Sequence, residues 1–361
     1  MKKRYLSSYF SLISAVLAFV VTLLVLYYAT NSFSHNKNYS SFINFHDVQN
    51  TSKYYGKPLI TIGVIPFDVN TQTILQQFQV SIGSWLRGTA QVVVYVYDIV
   101  TGMGNLAPQL LESLQEEFGK DRIFIKGKII KELKIETIPE AFERVELDSE
   151  TVFCAFCSND IILRPDWIDY VYAARKFFGP YNNWSLHVPR RDLFESCRKD
   201  VTLKEIASEN YPSFLEEFAK RCRSRLHSVG YDVYFWNHLG INMTKANLPK
   251  YYIGRPNFDS GIIQKQMDQG WFVTTYPIHE SYHLEHPDRI QYAKRMSHPD
   301  SVYNTELERK NGFKPFRNSH FKLQMTKNEM ILLVDDKWVK FPVNRSYNIF
   351  PFSMNNGAPV I

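Results

Sequence analysis

The chain has 361 residues, 45% of them hydrophobic and 15% aromatic, and carries 42 Lys and Arg against 36 Asp and Glu for a net charge of +6. That charge is spread out, with no Lys/Arg run beyond Lys2-Lys3-Arg4, so the basic stripe of a nucleic-acid binder is missing. The many Tyr and Phe residues argue against a disordered chain, and the length allows a large core.

Residues 1–8 are a short tail. After Arg4 no Asp, Glu, Lys, Arg or His occurs until His35, and Tyr9 to Tyr28 is dominated by Leu, Val, Ile, Ala and Phe. A helix crosses a hydrocarbon core of roughly 30 Å with about 20 residues. A cleaved signal has a shorter apolar region, about 7–15 residues, and a small-residue site; no Ala-x-Ala follows here. Residues 9–28 are therefore read as a transmembrane signal-anchor helix. Basic residues precede the span and Lys37 follows well after it, so the tail is expected in the cytosol and the rest in the lumen. Disulfides and N-glycans form in that compartment.

Residues 31–57, rich in Asn, Ser, Tyr and Lys, read as a stem. Five acceptor patterns begin at Asn38, Asn50, Asn183, Asn242 and Asn344; Asn38 and Asn50, in the stem, are the expected glycosylation sites. Four cysteines, Cys154, Cys157, Cys197 and Cys222, allow three fully paired connectivities. Cys154-x-x-Cys157 lies in an apolar run with no second pair to complete a zinc site, so both are expected to be buried, and Cys197 with Cys222 is a candidate bridge.

From Pro58 the pattern alternates. Leu59 to Pro66 reads as a strand, and Ile74, Leu75, Phe78, Ile82 and Trp85 mark a helix over Thr71 to Leu86. Val92 to Tyr97 is a strand ending in Asp98. A helix from about Ala107 to Phe118, a strand from Arg122 to Ile125, a helix from Pro139 to Val145 and a strand from Thr151 to Cys157 follow. This order predicts a mostly parallel α/β sheet flanked by helices, with its ligand crevice at the carboxyl ends of the strands, where Asp98 and Asp160 fall. A single helix is expected over Leu203 to Leu226. Met330 to Val334 and Trp338 to Phe341 suggest a hairpin within a C-terminal extension, 291–361. Neither a G-x-G-x-x-G after the first strand nor a P-loop is present, which disfavours dinucleotide dehydrogenases and NTPases.

Phe153 to Leu163 sets Ser158-Asn159-Asp160 between two apolar runs. A buried carboxylate requires a partner: a metal with a nucleotide diphosphate, a basic side chain, or backbone donors if Asp160 caps the helix beginning near Pro165-Asp166. The segment resembles the Asn-Ala-Asp-Ile-Ile-Leu element of a family of glycosyltransferase-like proteins with the GT-A fold, a Rossmann-like sheet. Ile60 to Phe67, Ser81 to Leu86, Val188-Pro189-Arg190-Arg191-Asp192, Gly230-Tyr231-Asp232-Val233-Tyr234-Phe235-Trp236, Ile253-Gly254-Arg255-Pro256-Asn257-Phe258-Asp259 and Ile278-His279 are similar to further elements of that family, in order, within residues 58–290. The chain departs at Ser158 for the family's Asn, at a tryptophan missing before Asp192, at Ser260-Gly261 for Asn-Trp, and in the spacing of His279, His283 and His286.

The resemblance implies a glycosyltransferase, hexosyltransferase-like, that takes a sugar from a nucleotide sugar, a UDP-sugar by expectation, to a glycan, protein or lipid acceptor, as a type II Golgi membrane protein. The alternative is an inactive relative that binds a glycan or protein. Asp160 is implied as metal or donor-phosphate ligand, with Asn159 and Ser158 as weaker oxygen donors and Mn²⁺ or Mg²⁺ as the ion. Pro66 and Asp98 would shape the donor pocket; turn and strand-end roles are their alternatives. Arg191, Asp232 and Arg255 would bind phosphate or acceptor, or form structural ion pairs. His279 is implied as a further metal ligand. His283 and His286 rank lower, because His-x-x-x-His needs a helix to align its rings. Asp259 is implied as general base, with an Arg255–Asp259 salt bridge as the alternative.

Overall fold

The computed structural model describes residues 58–66, 71–87, 92–101, 106–131, 136–179, 181–193, 201–208, 210–222, 224–240, 243–255, 258–275, 281–284, 297–312, 321–325, 329–334 and 337–342. The tail, the apolar span at 9–28, the stem with Asn38 and Asn50, and Cys197, His279 and His286 lie outside them. Among the described residues no helix is long and apolar enough to cross a membrane.

The first half follows the expected alternation: β1 (Ile60–Val64), α1 (Gln72–Leu86), β2 (Val92–Tyr97), α2 (Leu106–Phe118), β3 (Ile123–Lys126), α3 (Ile138–Asp148) and β4 (Phe153–Cys157). Local chemistry sets the helix starts. Thr71 caps α1 by accepting the Ile74 N–H at 3.2 Å, and Thr137 begins α3 with Glu140 accepting the Thr137 N–H at 2.9 Å, one half of a capping box. α1 buries Leu75, Phe78, Ile82 and Trp85, and the Trp85 indole N–H donates to the Ile161 carbonyl at 2.8 Å. All five residues of β4 are buried, as befits a central strand covered on both faces.

The second half adds β5 (Ile161–Leu163), α4 (Trp167–Phe178), β6 (Trp184–Leu193), α5 (Leu203–Ala207), α6 (Tyr211–Arg221), β7 (Ser224–Asn237), a 3₁₀ turn at Met243–Ala246, α7 (Phe258–Asp268), β8 (Phe272–Thr275), β9 (Ser281–Leu284), α8 (Pro299–Asn311), β10 (Phe321–Met325), β11 (Glu329–Val334) and β12 (Lys337–Pro342). The strand order is β12-β11-β10-β8-β6-β7-β4-β1-β2-β3, with β9 joining β5 to β6. β3-β2-β1-β4 is parallel throughout. β7 then runs antiparallel between β4 and β6.

Two expectations are corrected. The sheet, expected to be mostly parallel, is mixed: of its eleven described pairings six are parallel and five antiparallel. The segment from Leu203 to Leu226 is not one helix. It breaks at Ser208, restarts at Tyr211 with Pro212 in the first turn, and is strand from Ser224; proline fits only the opening turn of a helix. The hairpin expected near the C-terminus is β11–β12, and it extends the same sheet. Cys154 and Cys157 are free and buried, while Cys222 is disulfide-bonded.

β6 and β7 are bent. The first half of β6 pairs with β8 and its last three residues with β9. Between those halves the β6–β7 register shifts on both sides of Pro189, from Val188↔Val233 to Pro189↔Tyr231 to Arg191↔Leu226. Such irregularities kink a strand and redirect its side chains. The sheet's polar cluster lies at this bend.

Candidate functional site

The site begins where the chain leaves β4. Ser158 donates its N–H to the Asp232 carbonyl on β7 at 2.9 Å, and the Asp160 carbonyl accepts from Leu284 N–H on β9 at 2.9 Å. Asp160 thus stands at the fork where the chain passes from one neighbouring strand to the other. Its carboxylate Oδ2 is 2.9 Å from His283 Nε2, and His283 Nδ1 is 2.9 Å from Asp192 Oδ1 on β6. Burial disfavours charge on His283, yet Asp160 and Asp192 outweigh it, and the imidazole pKa is pushed up to about 9. At neutral pH it is an imidazolium donating to both carboxylates.

Arg190, at the irregular point of β6, extends the chain of contacts. Its Nε lies 3.1 Å from Asp192 Oδ1 and its Nη1 2.7 Å from Asp232 Oδ2. Burial opposes its charge, but Asp232 and Asp192 prevail and raise its pKa. Across β7, Asp259 enters from the first turn of α7. Its Oδ2 accepts the Tyr231 N–H and its Oδ1 the Tyr234 hydroxyl, each at 3.1 Å. Exclusion of water, then the negative charge of Asp232, pushes the Asp259 pKa up to about 8, against the opposing pull of these hydrogen bonds and of Arg190. A carboxyl group poised in that range exchanges protons readily near neutrality.

Three residues singled out from sequence, Asp160, Asp232 and Asp259, therefore meet around the bend. Asn159 adjoins Asp160 in the β4–β5 connection, and the buried Pro66 follows the end of β1. Asp160 is not the cap of α4; that position is Asp166. Asp98 is otherwise engaged. Its carboxylate accepts from Arg144 and from the Lys128 N–H at 3.1 Å, and its backbone has a left-handed φ of 29°, so it anchors the turn leaving β2. Arg255 pairs with Asp300 of α8 at 3.8 Å rather than making the alternative bridge to Asp259. Arg191 lies opposite Leu226 and Tyr282 in register, and the guanidinium that reaches Asp192 and Asp232 belongs to Arg190.

Sequence reasoning did not single out Arg190 or the pairing of Asp192 with His283, and it ranked His283 low. The helix requirement applied to His-x-x-x-His misled, because Ser281–Leu284 is a strand. Gly261, one of the departures from the resembling family, has a steric cause: a Cβ there would sit 2.4 Å from the Tyr251 hydroxyl.

Among the described residues no group of three His, Cys, Asp or Glu is set to hold a metal ion. The pair Asp160–His283 nonetheless has suitable chemistry. The carboxylate oxygen suits Mn²⁺ and the imidazole nitrogen is a ligand for divalent transition metals, and Asp192 behind Nδ1 is the outer support that metal-binding histidines commonly have. A cation between the two would displace the Nε2 proton.

No protein-family model matches the chain, and no curated protein matches it in sequence. Among solved structures it is similar to the mannosyltransferase PcManGT from Pyrobaculum calidifontis in complex with GDP-Man and Mn²⁺, at 12% identity and a TM-score of 0.40 over 66% of this chain and 60% of that one. It is similar to S. aureus TarS 1-349 in complex with UDP-GlcNAc, at 10% identity and 0.27 over 37% and 35%. It is also similar to glucosyl-3-phosphoglycerate synthase from Mycobacterium tuberculosis in complex with Mn²⁺, UDP and glucosyl-3-phosphoglycerate, at 12% identity and 0.39 over 81% and 90%. The chain thus spans less than two thirds of the length of the first two.

Proposed function

We propose that this chain is a GT-A-like glycosyltransferase that moves a sugar from a nucleotide sugar, a UDP-sugar by preference, to a hydroxyl of a glycan, protein or lipid acceptor. The observation that carries the reading is the Asp160–His283–Asp192 alignment at the carboxyl end of the central strand β4, with Asp259 held across the bend. Asp160 and His283 would hold a divalent ion, which when bound supplies positive charge to the leaving diphosphate. Asp192 fixes the ring of His283. The acceptor oxygen attacks the anomeric carbon, the bond from that carbon to the diphosphate oxygen breaks, and Asp259 takes the acceptor proton. Tyr231 N–H and the Tyr234 hydroxyl hold the Asp259 carboxylate in place.

The setting proposed is the secretory pathway, with the chain as a type II protein of the Golgi membrane. The charge asymmetry around residues 9–28 supports this, as does the disulfide at Cys222, since such bonds persist in oxidising compartments. In sealed microsomes the domain after residue 58 should survive protease until detergent is added; its digestion without detergent would reverse the orientation.

The direct test of activity is binding. The full chain in detergent should bind UDP and a UDP-sugar more tightly with Mn²⁺ than without, read as a rise in melting temperature with ligand concentration. Folded protein that responds to no nucleotide sugar, UDP- or GDP-linked, with or without Mn²⁺, would overturn the reading.

A further inference from the structure

We propose that Arg190 is the positioning residue that joins the two halves of this crevice, its single guanidinium holding Asp192 behind His283 on the donor side and Asp232 beside Asp259 on the acceptor side. The inference deepens the function proposed above and rests on it for the names of the two sides.

Three observations carry it. First, Arg190 lies at the register shift of β6, where Pro189 and Arg191 each have a partner on β7 and the residue between them has none in register; the irregularity is what aims its side chain. Second, it reaches two carboxylates from two edges: Nη1 donates to Asp232 Oδ2 at 2.7 Å, and Nε forms an ion pair with Asp192 Oδ1 at 3.1 Å without the alignment of a hydrogen bond. That is a task for a planar fork, which a lysine ammonium cannot reproduce from one point. Third, it completes a continuous series of contacts, Asp160–His283–Asp192–Arg190–Asp232, none longer than 3.1 Å. The groups that face Asp259 are Asp232, Tyr231 and Tyr234 of β7 and Arg190 of β6, with His187 of β6 edge-on to both tyrosine rings. Of these Arg190 supplies the positive charge, because buried His187 is held neutral, its pKa lowered to about 4.

The consequence is a rule for when the base can act. Asp259 must be ionised to take a proton, and a neighbouring cation favours that ionised form. Removing the cation leaves Asp232 and Asp259 as like charges, so Asp259 ionises only at higher pH.

The test compares the full chain with Arg190→Gln and Arg190→Lys, each alone and combined with Asp259→Asn, by pH–rate profile and by pH dependence of thermal unfolding. Arg190→Gln should move the rise of kcat/KM to higher pH by about one unit or more, and Arg190→Lys by less. In unfolding, the upper end of the pH window attributable to Asp259 should move upward in Arg190→Gln, and the window should vanish when Asp259→Asn is added. A folded Arg190→Gln protein with both profiles unmoved would overturn the proposal. Should Arg190→Gln not fold, Arg190→Lys decides: donor affinity and profile equal to the parent would show that no fork is needed. If the parent turns over no sugar, the proposed function fails, while the unfolding profiles still decide the place of Arg190.

Discussion

Asp259→Asn is expected to give a folded protein that binds donor normally and turns over at least about a hundredfold more slowly, the scale that a positioned general base supplies. The fold should survive because the amide fits the same pocket. Its oxygen accepts the Tyr231 N–H in place of Oδ2, and its NH₂ donates to the Tyr234 oxygen once that hydroxyl turns its one hydrogen from Oδ1 to the Tyr231 carbonyl 2.6 Å away. The pH dependence of stability gives a second reading. With a folded pKa near 8 against an ordinary 3.8, the Asp259 carboxyl favours the folded state below about pH 4, and that contribution is lost as the pH rises towards 8. The mutant should lack this decline and so gain relative to the parent at pH 8. Near-parental turnover in the mutant would remove Asp259 from the mechanism.

His283→Ala should be the most damaging single change in both stability and binding. The side chain is 6% exposed and separates two carboxylates, each 2.9 Å away. Without it Asp160 and Asp192 face one another around a void. Removing one member of a buried ionic group typically costs about 3–5 kcal/mol, and that loss is expected in denaturant unfolding. The response of melting temperature to Mn²⁺ with UDP should disappear as well. His283→Gln, which keeps one hydrogen bond, should recover part of the stability without the response to Mn²⁺. An Ala variant that retains both would show that the imidazole is neither a ligand nor a structural bridge.

The sequence made the first half of the sheet legible because β1, β2 and β4 are buried on both faces and consist almost wholly of apolar residues. Their short length, bounding turn signals and β-branched or aromatic content, rather than any period, mark such runs as strands. β6 and β7 were harder for the reason that makes them interesting. They carry Arg190, Asp192 and Asp232 at their bend, and charge in mid-strand obscures the alternating pattern. Asp160 was singled out as a carboxylate between two apolar runs, and Asp259 through a resemblance of short motifs in order. His283 was not, because a four-residue strand offers no period to read. Asp98 looked like a donor contact, and only the fold shows its carboxylate spent on Arg144 and the Lys128 N–H.

The insertion of β7 between β4 and β6 also dictates an order of assembly. The parallel block β3-β2-β1-β4 is complete by Cys157, whereas the antiparallel neighbour of β4 is Val233–Asn237. The Asp160–His283 contact closes 123 residues of chain and His283–Asp192 closes 91. At about 5–20 residues per second, the growing chain holds β4 without that neighbour for some seconds. During that time an apolar strand is an open edge, the feature that invites pairing with foreign chains. The polar cluster can form only after that edge is sealed, so every mature site is also a record of a nascent chain that escaped aggregation.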